Sequence, residues 1–193
     1  MKVLLSSLIF GILILSTTVQ ANETYTIDNA HASIGFSISH LVISKVKGSF
    51  NDFSGTFVLD KDNRLTEANA SIKSASIDTG VKKRDDHLRS ADFFEVETYP
   101  EITFEAKKVV KRSGKDILLG KFTMHGVTKN IELPYTVKGP ITDPYGNKKI
   151  GFHAETVINR TDYGLNWNQA LEVGGVMVGE DVFIVIDVEA GIQ

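Results

Sequence analysis

The sequence predicts an all-β protein, an antiparallel barrel of about eight strands with one or two short helices. Apolar and polar residues alternate along most of the chain, turn-forming residues separate the alternating segments, and helical periodicity is almost absent. Such alternation is typical of antiparallel sheets with one dry and one wet face. Closing the sheet into a barrel leaves no strand edge unpaired.

The strands follow one another with short connections. In SIGFSISH, which spans residues 33–40, the apolar Ile34, Phe36 and Ile38 share one face. The same alternation recurs in residues 102–106, 131–137, 150–158 and 182–188. Turn signals rich in Gly, Asn, Asp and Pro occur at residues 60–64, 112–116, 124–130 and 142–149.

The alternation changes phase at two places. Phe50 and Phe53 are an odd number of residues apart, so both can face inward only if the strand is interrupted between them. The same holds for Ile72 and Ile77. A bulge or tight turn at residues 51–52 and at residue 74 would restore the phase.

The segment DVFIVIDVEA, residues 181–190, is apolar on both faces. Phe183 and Val185 lie on its second face, and a helix or a partner subunit would cover them, so a homodimer is one expectation. A helix is predicted at residues 86–94, with Asp86 as its N-cap. A second short helix or a loop is expected within residues 159–175.

The interior of an eight-stranded barrel is either filled by side chains or wide enough for one slim ligand. The alternation alone leaves both readings open. Several of the eleven phenylalanines stand beside glycines, for example Phe36 next to Gly35, Phe57 near Gly55 and Phe122 after Gly120. A mixed large and small lining of this kind is compatible with a channel.

Residues 1–21 have the pattern of a cleaved secretory signal peptide. Lys2 is followed by an apolar run at residues 3–15, and the small Val19 and Ala21 precede the expected cleavage point. The run of about 13 residues is too short to span a membrane comfortably. We therefore predict one domain at residues 22–193, located in the periplasm or secreted, with no stable membrane anchor after cleavage.

Composition excludes several kinds of function. The chain has no cysteine, so disulfides, thiolate metal sites and cysteine nucleophiles are excluded. Its net charge of −3 argues against a nucleic-acid partner. The five histidines have no metal-site spacing and no GxSxG motif is present, so neither a metal nor a cofactor is predicted.

A dense charged cluster precedes two phenylalanines in RDDHLRSADFFEVETYPEITF, residues 84–104. One hypothesis is an enzyme that acts on a lipid through Asp85, Asp86 and His87. The other is a rim at which basic residues meet water while Phe93 and Phe94 turn into the barrel. Because sequence neighbours rarely converge on one point, the rim is favoured and no catalysis is expected.

The same stretch, together with YTIDNAHASIGFSISHL, VKGSFNDFSGTFVLD, GKFTMHGVTKNIELP and INRTDYGL, resembles the YceI-like family of exported lipid-binding proteins. The resemblance covers essentially the whole of residues 22–193, with the motifs in order. One departure is Ala32, where the family usually has serine after the first histidine.

This resemblance implies a lipocalin-like barrel in the bacterial periplasm or extracellular space. It also implies an internal tunnel that holds a long isoprenoid, such as a polyprenyl diphosphate or a quinone-like lipid, or a similar amphiphile, for transport or storage. With the inward faces read from the alternation, the predicted ligand-binding residues are Phe36, Ile38, Phe57, Arg84, Phe93, Phe94, Phe104, Phe122, Leu133, Phe152, Ile158 and Trp167.

Overall fold

The computed structural model describes residues 22–170 and 174–192. The predicted signal peptide lies outside the described residues. The strands are β1 (Glu23–His40), β2 (Ser44–Phe50), β3 (Phe53–Leu59), β4 (Leu65–Lys73), β5 (Ile77–Asp78), β6 (Glu101–Arg112), β7 (Lys115–Met124), β8 (Val127–Thr142), β9 (Lys148–Asn159) and β10 (Val178–Gly191). One α-helix, α1 (Lys82–Arg89), and two 3₁₀ turns, Ser74–Ser76 and Arg160–Tyr163, complete the described elements. None of the helices in these residues is long and apolar enough to cross a membrane.

The strands form a closed antiparallel barrel. Neighbours along the chain pair with each other from β6 to β10, and β10 returns to pair with β1 over its whole length. This last pairing joins the first and the last of the described strands, with Phe36 opposite Ile184. The predicted barrel class is therefore confirmed.

Both predicted phase changes are present, and they explain why the ten strands build an eight-stranded barrel. β2 and β3 run consecutively along the same side of β1, interrupted at residues 51–52. β4 and β5 likewise run along β3 and β2, interrupted by the 3₁₀ turn at Ser74–Ser76. Each interrupted pair occupies the place of one strand, which keeps the apolar residues on both sides of the break facing inward.

The helix was predicted at the wrong position. α1 starts four residues before the expected Asp86, and Val81 is its N-cap residue. Asp85 lies in the first turn, where the amide of Thr79 and its hydroxyl donate hydrogen bonds of 3.0 and 2.5 Å to its carboxylate. A carboxylate there also interacts favourably with the helix dipole. The extended backbone of Ser90 ends the helix, so Phe93 and Phe94 follow it in a turn.

The barrel interior is packed solid at one end. Tyr25, Leu59, Leu118 and Ala190 are each 0% exposed in a continuous apolar cluster there. We call this part of the barrel the floor. The opposite half carries a second apolar cluster, formed with residues of α1, its following turn and the segment after β9.

The outward face of β10 remains uncovered by the described residues. Phe183 is 37% exposed and pairs with Val157, which is 56% exposed. The expected covering helix is absent from this face in the described chain, and the homodimer stays a prediction.

Candidate functional site

A cavity of about 310 Å³ occupies the half of the barrel opposite the floor. Its walls are predominantly apolar and come from nearly every strand, from α1 and from the segment that follows β9. All twelve residues that were singled out from the sequence line it, namely Phe36, Ile38, Phe57, Arg84, Phe93, Phe94, Phe104, Phe122, Leu133, Phe152, Ile158 and Trp167. The interior is thus partly hollow, which contradicts the alternative of a fully packed barrel.

Glycines on neighbouring strands let two large rings lie against the barrel wall. A Cβ at Gly48 would stand 2.5 Å from Cζ of Phe36, and one at Gly120 would stand 2.5 Å from Cε2 of Phe104. Since nonbonded carbons normally stay about 3.5–4.0 Å apart, only glycine leaves room for the rings there. The wall positions of Phe36 and Phe104 keep space free along the barrel axis.

Phenylalanines on one strand therefore lie beside glycines on the neighbouring strand. The sequence suggested pairs along one strand, such as Phe36 with Gly35, whereas the structure pairs Phe36 directly with Gly48 on β2. A Cβ at Gly35 would meet only backbone oxygens, at 3.8 and 3.9 Å. The expected juxtaposition of phenylalanine and glycine is real, but its partners differ from those predicted.

Stacked aromatic rings separate the cavity from the floor. The ring centroid of Phe152 lies 4.7 Å from that of Phe57 and 5.7 Å from that of Tyr135. Phe57 and Phe152 are at most 5% exposed and belong to the packed cluster. Because they also line the cavity, they form its inner end.

The opposite end of the cavity is bounded by α1, by the end of β1 and by the segment between β9 and β10. His87 packs edge-on against the rings of Phe93 and Trp167, with centroid distances of 5.0 and 4.9 Å. His40 and Met177 also line this end, and both are half-buried. We call this end the mouth, since its lining residues keep partial contact with solvent.

Arg84 brings a fixed positive charge to the mouth. Its Nε donates to the hydroxyl of Thr79 at 2.7 Å, and its Nη2 donates to the carbonyl of Thr79 at 2.9 Å. These bonds hold the side chain in place without neutralising it. Among residues 22–170 and 174–192, no carboxylate forms an ion pair with it.

A second arginine at the cavity was missed by the sequence reasoning. Arg160 is only 3% exposed, and its guanidinium donates to the carbonyls of Leu165, Gly179 and Val178. Burial lowers the pKa of Arg160 from its usual value, although nearby Glu180 partly opposes this. Carbonyl partners satisfy the buried donors, and among the described residues no carboxylate forms a direct ion pair with this guanidinium. Nothing local in NRTDYGL distinguishes this arginine from an exposed one.

The suggested acid–histidine group does not converge. Asp85 is buried and bonded to Thr79, whereas Asp86 is half exposed and pairs with Lys82 at 2.6 Å. His87 Nε2 lies 2.9 Å from a third carboxylate, that of Asp92. The three neighbouring side chains therefore serve separate local contacts.

Further lining residues were absent from the predicted set. They include Val46, Phe50, Ile72, Met124, Leu165, Val182, Ile184 and Ile186. The alternation in β10 already placed Val182, Ile184 and Ile186 on one face, and this signal was sufficient to include them. Phe50 was obscured because it stands next to a phase change.

A cluster of carboxylates and a histidine lies elsewhere, on the outer surface where β1 meets β10. It comprises Asp28, His31 and Glu189. The ammonium of Lys149 lies 3.0 Å from Asp28 and 3.5 Å from Glu189, and so supplies a positive charge to this group. Hydrogen bonds from His31, Lys149 and the Ala30 amide lower the pKa of Asp28 to about 2. We interpret the cluster as a surface ion-pair network.

Comparison with known proteins decides the family. The YceI-like domain model matches residues 25–190. A UPF0312 protein of Staphylococcus aureus is 41% identical over 160 residues, which covers 82% of this chain and 91% of that protein. The chain belongs to the YceI-like family. The resemblance predicted from its motifs is thereby confirmed.

Solved structures agree with this assignment. The YCEI protein of Campylobacter jejuni is 33% identical to this YceI-like chain, with a TM-score of 0.69 over 81% of this chain and 90% of that one. A domain from Saccharophagus degradans described as polyisoprenoid binding is 17% identical, with a TM-score of 0.67 over 90% of this chain and 100% of that one. At that identity the second likeness shows the fold alone.

Proposed function

We propose that this protein holds a long isoprenoid, or a similar amphiphile, in its cavity and carries or stores it in the periplasm or outside the cell. The observation that carries the proposal is the apolar cavity of about 310 Å³ with a closed inner end and positive charge at its mouth. This volume lies at the lower end of the range of about 300–1,000 Å³ that is usual for ligand cavities. The polyisoprenoid-binding description of the Saccharophagus degradans domain supports the same class of ligand.

The two arginines favour a polar or anionic head group at the mouth. Arg84 and Arg160 both line the cavity, and their guanidinium groups are held by hydrogen bonds to oxygen acceptors. Guanidinium groups bind phosphate oxygens in well-defined geometry. A polyprenyl diphosphate would therefore place its chain against the phenylalanines and its head group near the arginines.

The energetics favour a carrier that exchanges lipid with a membrane. Moving about 40 carbons out of water at ~0.8 kcal/mol each would give roughly 30 kcal/mol. This exceeds the practical affinity ceiling of about 20 kcal/mol. Such a lipid resides in membranes, from which transfer to an apolar cavity is close to neutral. Selectivity then comes from cavity shape and from head-group contacts.

Binding without catalysis fits the separate contacts of Asp85, Asp86 and His87. The enzyme alternative predicts that a supplied isoprenoid is chemically converted and that conversion stops in His87→Ala. We expect the extracted lipid to be unchanged after incubation, and His87→Ala to retain it. Lipid turnover that depends on His87 would overturn the proposed binding role.

The direct test is organic extraction of the purified protein followed by mass spectrometry. An isoprenoid or similar long-chain amphiphile should be recovered, or should be taken up when polyprenyl diphosphate is supplied. Phe104→Asp should lower occupancy because it places a charge in the cavity, whereas Thr103→Asp, on the same strand with the opposite orientation, should not. Ala70→Phe fills the cavity without a charge and tests the idea if Phe104→Asp does not fold.

Three results would refute the proposal: no recovered lipid together with no uptake, equal occupancy in Phe104→Asp and Thr103→Asp, or unchanged occupancy in Ala70→Phe. Arg84→Gln tests the head group separately. It should weaken retention of a polyprenyl diphosphate more than retention of the corresponding alcohol. Equal loss of the two lipids would remove Arg84 from head-group recognition.

A further inference from the structure

Four large apolar side chains are exposed around the mouth of the cavity. Val42 and Ile43, at the tip of the β1–β2 hairpin, are 72% and 86% exposed. Val81, directly before α1, is 48% exposed, and Val176 is 42% exposed. We call these four residues the mouth surface.

The mouth surface is continuous with the cavity lining. The amide of Leu41 donates to the carbonyl of Met177 at 2.8 Å, which joins the hairpin tip to the segment that contains Val176. His40 lines the cavity directly before the tip. The amide of Arg84, another lining residue, donates to the carbonyl of Val81 at 2.9 Å. Apolar residues thus extend from the interior to the outermost part of the mouth.

The hairpin tip keeps its apolar residues despite an unfavourable backbone. Leu41 has φ 53° and Val42 has φ 67°, values at which Asn and Gly are favoured and a β-branched side chain is strained. Neither folding nor solubility explains a strained and exposed valine there. Strained residues of this kind cluster at functional sites.

Three lysines lie along one side of the mouth surface. Lys45 follows the hairpin tip, Lys47 faces outward from β2, and Lys83 lies in the first turn of α1; all three are exposed. Within the described ranges none of the three forms an ion pair with a carboxylate. The acidic Glu180 and Asp181 lie on the opposite side, at the start of β10. The positive side therefore includes β2 and α1.

We propose that the mouth surface docks on an anionic lipid bilayer, inserting the hairpin tip while the β2–α1 lysines contact acidic head groups. Exposed apolar side chains beside cationic ones are the features that hold proteins at a membrane interface. This inference rests on the proposed function, because docking would place the cavity mouth where a lipid chain can enter or leave. The opposite end of the barrel also exposes an apolar residue, Ile141 at 64%, but Ile141 does not line the apolar cavity.

The test compares Ile43→Asp with its matched control Ile141→Asp in the full chain. Flotation is measured with phosphatidylcholine vesicles that contain or lack phosphatidylglycerol. The unmodified protein should prefer the anionic vesicles, Ile43→Asp should reduce their binding about tenfold, and Ile141→Asp should leave it unchanged. Lys45→Glu combined with Lys83→Glu should remove the preference for phosphatidylglycerol.

A dye at a single position reports membrane contact at that position alone. Flotation, by contrast, would also respond to binding by the N-terminal segment, which all variants share. Because the chain has no cysteine, Ile43→Cys and Ile141→Cys can each carry one environment-sensitive dye. Anionic vesicles should shift the emission of the dye at position 43 to the blue and leave the dye at position 141 unaffected. Equal responses at the two positions, or equal binding to neutral and anionic vesicles, would overturn the proposal.

Lipid occupancy of the same variants distinguishes docking from cavity binding. Ile43→Asp loaded from detergent should keep its lipid while it loses vesicle binding. A protein that binds no lipid but still docks through Ile43 would refute the proposed function and leave the docking surface intact. Retained lipid with no vesicle response at position 43 would refute docking alone.

Discussion

Replacing Gly48 with alanine should push the Phe36 ring out of the barrel wall and into the cavity. The added Cβ would stand 2.5 Å from Cζ and 2.8 Å from Cε1 of that ring, and 2.7 Å from the carbonyl oxygen of Asp78. A normal carbon–carbon contact of about 3.5 Å requires a displacement of about 1 Å. Since the ring already lies against the wall, the free direction is inward.

The expected cost follows from the overpacking. Forcing extra volume into a packed site typically costs about 1–3 kcal/mol. In a chain of this length, a loss of about 2 kcal/mol lowers the Tm by roughly 4–8 °C. The cavity should shrink at the same time, so the protein should take up less polyprenyl diphosphate.

Gly35→Ala is the matched control, because Gly35 lies on the adjoining strand and its added Cβ would make ordinary contacts of 3.8 and 3.9 Å. Thermal unfolding and lipid uptake are measured for both variants. Gly35→Ala should keep or slightly raise the Tm, since alanine costs less conformational entropy than glycine. Equal Tm values and equal uptake in the two variants would refute the view that Gly48 keeps the cavity open.

Three other measurements test the division between floor, cavity and mouth. Leu118→Ala, at a 0% exposed floor position, should lower the free energy of unfolding in urea by about 2–5 kcal/mol. Ile38→Ala, in the cavity wall, should lower it by less than about 2 kcal/mol. Equal losses would contradict a packed floor beneath a hollow half. Val42→Gly should raise the free energy of unfolding by about 1 kcal/mol, because it removes the strain at φ 67°, and a decrease would show that the tip is not strained. Burial, and secondly the hydrogen bond to Glu23, raises the pKa of Tyr25 from 10.0 to about 12. The folded protein therefore keeps this proton to a higher pH than the unfolded chain does. The free energy of unfolding should fall as the pH rises from the unfolded pKa to the folded pKa. The loss should reach about 1 kcal/mol one pH unit above the unfolded value, and a pH slope that is unchanged in Tyr25→Phe would contradict this assignment.

The sequence predicted the barrel correctly where the relevant pattern lies within a single strand. Side chains alternate with a period of two in any strand, so Ile34, Phe36 and Ile38 identified an inward face before their neighbours were known. The odd spacing of Phe50 and Phe53 likewise located a break that the structure shows at residues 51–52.

Other features depended on side-chain contacts that no local sequence pattern indicates. The helix was placed too late because Asp86 looked like an N-cap, whereas Asp85 bonds back to Thr79 within the first turn. The burial of Arg160 was missed because its carbonyl partners include Val178 and Gly179, well beyond its own turn. A local pattern carries no information about such partners.

By itself, the sequence determined a closed antiparallel barrel of about eight strands, its inward faces and its family, because these follow from local periodicity and from ordered motifs. Only the tertiary structure decided that half of the interior is packed and half is hollow. The physical reason is that free space depends on which residues meet across strands. Gly48 makes room for Phe36 against the wall, while Phe57 and Phe152 stack to close the inner end.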